Sequence, residues 1–127
     1  MSEKYLHSKL TEELIGIFYV VYNQLGYGFL EKVYQNAMYL ELKNSNYFVE
    51  AQKEISVIYK DVEVGKYYAD LIVNDSVIIE LKASEILVHE NELQLINYLK
   101  ATDIEVGLLM NFGKKPEVRR KIFSNTQ

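Results

Sequence analysis

Apolar residues recur at helical spacing early in the chain. Leu10, Leu14, Ile17, Phe18, Val21 and Leu25 share one face, widened by Ile15, Tyr19 and Tyr22. This predicts a long, well-buried first helix ending at Gly26-Tyr27-Gly28. Leu30, Val33, Tyr34, Ala37, Met38 and Leu42 outline a second helix that stops near the turn formers Asn44-Ser45-Asn46. The period then falls to two. Residues 48–59 set Ile55, Val57 and Tyr59 against Glu54, Ser56 and Ile58; Lys60-Asp61 marks a turn, and 62–73 reads as a second strand. A strongly apolar third strand, Val77 to Ala83, follows Asn74-Asp75-Ser76. Helical spacing returns over 89–101 through Leu93, Ile96 and Leu99. Val106-Gly107-Leu108-Leu109-Met110 has the unbroken apolar character of a parallel strand, and Pro116 stands where a last short helix would begin. The predicted order is α-α-β-β-β-α-β-α, an α/β (α+β) arrangement. Its first three strands form an antiparallel meander, and a helical crossover returns the fourth strand in parallel.

At 127 residues the chain reads as a single domain spanning 1–127, and its 49% hydrophobic, 25% charged composition is ordinarily globular. The absence of cysteine excludes disulfides and thiolate metal sites. The N-terminus lacks the apolar core of a signal peptide and no run reaches the length of a membrane span, so a soluble cytoplasmic protein without a membrane partner is expected. A net charge of −4 argues against a general nucleic-acid coat. The charge is uneven, however: residues 114–127 carry Lys114, Lys115, Arg119, Arg120 and Lys121 against Glu117 alone. That segment reads either as a phosphate contact or as a solvated helix end. His7 and His89 are too isolated to form a metal site, and Gly26-Tyr27-Gly28 lacks the lysine and preceding strand of a phosphate loop. Most of the eleven tyrosines fall at core spacing and are expected to pack rather than stack on bases.

The informative departures are charges inside strands that otherwise read as core: Asp70, Glu80 and Lys82. Such charges are costly unless paired, hydrated or metal-bound. Loop length decides whether they meet. A two-residue loop at Asn74-Asp75 would send Glu80 to the face opposite Asp70. A three-residue loop, Asn74-Asp75-Ser76, pairs 73 with 77 and therefore 70 with 80, about 5 Å apart, and this loop or an equivalent bulge is expected because only that register assembles the charges. Two carboxylates at that spacing repel unless a cation or proton lies between them. Lys82 projects from the same face as Glu80. The plain alternative makes Glu80 and Lys82 the solvent side of an edge strand. For Glu31 the plain reading is an ordinary first-turn acid, and for Gln94 and Tyr98, four apart on a helix, a mutually satisfied pair.

These residues resemble the GxxExxY family of the PD-(D/E)xK nuclease superfamily. The signature reads Gly28-Phe29-Leu30-Glu31-Lys32-Val33-Tyr34, followed by Tyr68-Ala69-Asp70-Leu71, Ile79-Glu80-Leu81-Lys82-Ala83 and Gln94-Leu95-Ile96-Asn97-Tyr98-Leu99. The stretch Val106 to Gly113 also fits, so the resemblance covers about residues 8 to 123. Ala69 stands where the superfamily name has proline. The resemblance implies a restriction-endonuclease-like core, with a mixed four-stranded sheet flanked by helices. It implies that Glu31, Asp70, Glu80 and the backbone carbonyl of Leu81 coordinate Mg²⁺ or Mn²⁺, and that Lys82 activates the attacking water. Gln94, Tyr98 and Tyr34 would support the site or contact substrate. An oxygen-only donor set suits a hard cation. The expected activity is metal-dependent hydrolysis of DNA phosphodiesters. The alternatives are a catalytically silent module that binds nucleic acid or a protein, and a homodimeric resolvase of branched DNA.

Overall fold

The computed structural model describes residues 6–124. Helices α1 (Ser8–Leu25) and α2 (Glu31–Asn44) precede strands β1 (Val49–Tyr59), β2 (Val62–Val73) and β3 (Val77–Lys82). Helix α3 (His89–Lys100), β4 (Val106–Phe112) and β5 (Pro116–Ile122) complete the order. The strands form one mixed sheet in the order β1-β2-β3-β4-β5, with β3 and β4 parallel and the other neighbours antiparallel. This is a restriction-endonuclease-like arrangement.

The sheet has a core on each face. Leu14, Phe18 and Val21 of α1 and Tyr34, Met38 and Leu42 of α2 pack on Leu71, Ile79, Leu81, Leu108 and Met110. Leu95, Tyr98 and Leu99 of α3 cover Ile55, Ala69, Ile78 and Leu109. With both faces covered, Glu80 is 4% exposed, which rules out the solvent side of an edge strand. The buried face of α3 is shifted from the expected one: Leu99 is fully buried as expected, but Leu93 is exposed and Leu95 fully buried. Helix α3 comes close to β4 at Gly107, where a Cβ would lie 2.6 Å from Leu95 Cδ1.

Two further expectations are corrected. The sheet has five strands, because residues from Pro116 form β5 rather than a helix. Val118 and Ile122 pack on the α1–α2 core, while Glu117, Arg119 and Lys121 alternate with them. That period of two outweighs the helix-start signal, and proline is tolerated at the first residue of an edge strand. The tyrosine expectation holds for only half of those described: Tyr34 and Tyr98 are buried and Tyr22, Tyr39 and Tyr47 pack partly buried against the core, while Tyr19, Tyr27, Tyr59, Tyr67 and Tyr68 are exposed. Among the described residues no helix is long and apolar enough to cross a membrane.

Candidate active site

The β2–β3 connection has the expected odd length. Val73 pairs with Val77, Ile72 with Ile78 and Leu71 with Ile79, around a loop in which Asn74 and Asp75 have φ of 53° and 51°. The regular ladder ends at Leu71, one pair short of Asp70 and Glu80. From there the carboxylates substitute for carbonyls. The Asp70 amide donates to Glu80 Oε2 at 2.8 Å, and the Leu81 amide donates to Asp70 Oδ2 at 2.8 Å. The two acids thus lock β2 to β3 where the strands part.

The strand turns over at this point. Ala69 packs under α3, whereas Leu71, two residues on, packs under α1 and α2. Residues two apart in a regular strand share a face, so an irregularity lies between them. Across the ladder, Ala51 pairs with Leu71 and Lys53 with Ala69, while the intervening Gln52 takes φ 52°. Its amide donates to Gln35 Oε1 at 2.7 Å and to Asp70 Oδ1 at 3.3 Å. Gln35, on α2, is 6% exposed. Neither glutamine stood out in the sequence. Gln35 occupies the core-facing side of α2, which was a usable signal, whereas the backbone of Gln52 gave none.

Burial dominates the electrostatics. It pushes the Glu80 carboxyl up to about 8, aided by the neighbouring Asp70 charge and opposed by the Asp70 amide and Lys82. Burial also raises Asp70, against the Leu81 amide, Gln52, Lys82 and Lys32. Lys82 is half-buried, and its charge acts on both acids. Burial and then the charges of Glu80 and Asp70 push the Tyr98 hydroxyl up to about 12, which puts α3 beside the acids. Gln94 Nε2 donates to the Tyr98 hydroxyl at 3.0 Å, so the pair does satisfy itself, as the plain reading of that spacing held.

Glu31 opens α2 and is exposed, and its charge reaches Glu80. The loop before it is tied down by Tyr34, whose hydroxyl donates to Gly26 O at 2.8 Å and accepts from the Phe29 amide at 3.2 Å. The Tyr34 ring stacks on Phe112 at 4.1 Å and is fully buried. Gly26 and Gly28 supply the positive φ values, 69° and 108°, that the loop requires. The spacing Gly28, Glu31, Tyr34 therefore has a mechanical meaning: a glycine turn, an acid at the helix start, and a hydroxyl that holds the turn.

The chain beyond Lys82 is held in the same manner. Buried Asn111 accepts from the Ser84 amide at 3.0 Å and donates to Ser84 O at 2.8 Å. Gly113 fits beside this clasp, because a Cβ there would lie 2.6 Å from Ser84 O. The basic C-terminal segment is partly neutralised: Arg119 and Lys121 pair with Glu92 of α3, and Arg119 with Glu117 at 2.7 Å. Among the described residues no three acidic or imidazole groups are gathered closely enough to enclose a metal ion.

A mixed sheet that presents two acids and a lysine where its central strands part, flanked by helices on both faces, defines a nuclease-type domain. The chain belongs to the PD-(D/E)XK nuclease superfamily, whose family model matches residues 8–121. No curated protein matches it. The solved crystal structure of SSO0001 is similar, with a TM-score of 0.54 and 24% identity over 94% of this chain. That likeness speaks to fold alone. The chain corresponds to 59% of the length of SSO0001.

Proposed function

We propose that this domain hydrolyses DNA phosphodiester bonds with Mg²⁺ or Mn²⁺, as a member of the GxxExxY group within the superfamily. The observation that carries the reading is the Asp70–Glu80 pair, interlocked through two 2.8 Å hydrogen bonds with Lys82 beside it. A carboxyl raised to about 8 by burial and a neighbouring acid suits a divalent cation, which removes the repulsion, and oxygen donors suit a hard ion. Asp70 and Glu80 would hold the ion; Glu31 and the Leu81 carbonyl are the further donors proposed, with Glu31 not gathered with the pair among the described residues. When bound, the cation supplies Lewis acidity and lowers the pKa of water. Lys82 orients the attacking water and offsets charge that develops on the phosphate. Tyr98 and Gln94, bonded to each other, would support the site and contact substrate, and Tyr34 would act by fixing the loop that carries Glu31.

The test is Mg²⁺- or Mn²⁺-dependent cleavage of single-stranded, duplex and branched DNA. Lys82→Ala and Glu80→Ala are each expected to lower the rate at least about a hundredfold. Cleavage that survives both substitutions belongs to a contaminant and ends the proposal.

A second reading, a nuclease-fold module that binds nucleic acid without cutting, draws on the exposed position of Glu31 and the absence of a three-acid cluster among the described residues. Calorimetric titration separates the two. Heat of Mn²⁺ binding that Glu80→Gln abolishes favours the enzyme, and no heat favours the silent module.

A further inference from the structure

The β1–β2 hairpin outgrows the sheet. The β2–β3 ladder covers Leu71–Val73, whereas β1 and β2 stay paired out to Tyr59 and Val62. The hairpin's free arm stands across from α3, and a groove of about 660 Å³ lies between them. Val57 and Tyr67 line the hairpin wall, and Leu93, Gln94, Asn97 and Tyr98 the helix wall. Tyr67 is 48% exposed and Leu93 43%. The rings of Tyr67 and Tyr98 are 5.7 Å apart and tilted by 44°. Resting on the nuclease reading above, we propose that this groove receives unstacked nucleobases of a single-stranded nucleic acid whose backbone passes Asp70 and Glu80.

Continuity is the first support. Tyr98 belongs both to the groove wall and to the surroundings of the two acids, whose charges act on its hydroxyl. A strand with its phosphate at the carboxylates therefore has its neighbouring bases beside Tyr67. The lining chemistry is the second. Aromatic and aliphatic side chains offer flat apolar contact, and the amides of Gln94 and Asn97 can bond base edges. The charged lining residues, Glu90 and Lys100, cancel, so the groove gives no net attraction to phosphate. The whole chain, at −4, is not a general polyanion binder, so contacts to bases have to contribute to affinity. A duplex keeps its base faces stacked inside, whereas a single strand can lay them on tyrosine. The volume suits planar rings, falling within the roughly 300–1,000 Å³ of small-ligand pockets.

The experiment compares fluorescein-labelled oligothymidine, a matched duplex and an abasic oligonucleotide of equal length by anisotropy in Ca²⁺ buffer. The single strand is expected to bind at least about fivefold tighter than the abasic chain, the scale of one base–aromatic stack. Tyr67→Ala should remove that difference and Tyr67→Phe should keep it. Gly65→Leu should also weaken it by obstructing the groove: the first atom of that side chain, its Cβ, meets Tyr67 Cε2 at 3.7 Å and Val57 Cβ at 3.8 Å, which are ordinary contacts. Circular dichroism checks that all three variants fold. Equal binding of the abasic and base-bearing chains overturns the inference, as does preference for duplex, or no binding of any oligonucleotide. A dimer by light scattering that Gly65→Leu dissociates would assign the groove to a second copy and overturn it too. Base-dependent binding without cleavage leaves the groove standing while the catalytic reading falls. Duplex cleavage indifferent to Tyr67→Ala does the reverse.

Discussion

Asp70 and Glu80 hold each other through the backbone: the Asp70 amide donates to the Glu80 carboxylate, and the Asp70 carboxylate accepts from the amide that follows Glu80. Each acid thus performs a structural task in a ladder that would otherwise lose two bonds. The same bonds aim the carboxylates at one place, and burial makes their charges expensive there. Stability and cation affinity are consequently linked at this pair.

The metal-free protein should lose stability as pH rises from about 4.5 to about 8. In that window the folded chain keeps the Glu80 proton that the unfolded chain has released, so deprotonation favours unfolding. The raised Asp70 adds to the trend. Thermal unfolding in EDTA should show the melting temperature falling across this range, with Glu80→Gln much flatter and more stable at pH 8. Mn²⁺ should raise the wild-type melting temperature more at pH 8 than at pH 5.5. A flat metal-free profile for the wild type contradicts this account.

Tyr34→Phe keeps the ring stacked on Phe112 but loses the hydroxyl that bonds Gly26 O and the Phe29 amide. Denaturant unfolding should show a loss of about 1–2 kcal/mol. Metal-dependent cleavage should fall further than stability does, because the loop carrying Glu31 is freed. Activity equal to wild type would confine Tyr34 to the core.

Replacing Asn111 by alanine should cost about 1–3 kcal/mol, since it leaves the Ser84 amide and carbonyl without their buried partner. Hydrogen exchange should quicken across residues 83–88, the segment that follows Lys82. Unchanged exchange there would show that other contacts hold the segment.

Gly107→Ala brings a methyl group to within 2.6 Å of Leu95 Cδ1 and 2.9 Å of its Cγ, in a side chain that is fully buried. Overpacking of this kind costs about 1–3 kcal/mol. Gly107→Ala combined with Leu95→Ala should be less destabilised than the sum of the two single changes, which a double-mutant cycle measures directly.

Much of the architecture was legible in the chain. Hydrophobic period separated helices from strands, because side-chain alternation is a local property, whereas the odd count of Asn74-Asp75-Ser76 is preferred to a two-residue loop only because it brings Asp70 and Glu80 to one face. Residue types marked Asp70, Glu80 and Lys82, since charge in an apolar strand is costly wherever the strand lies. The last element was misread as a helix because proline suits a first helical turn and the start of an edge strand alike. The period of two over Glu117 to Ile122 was present in the sequence, and pairing with β4 makes the segment a strand.

The tertiary structure alone decided how the acids meet. Gln52 reaches Asp70 from a position of positive φ in β1 and is itself held by Gln35 of α2, and neither approach follows from a sequence period. The groove between α3 and the hairpin arm likewise depends on where β3 ends relative to β1 and β2. Periodicity reports which face of an element is apolar. The distance between faces, and hence the burial that raises Glu80 to about 8, is set by packing among residues far apart in the chain.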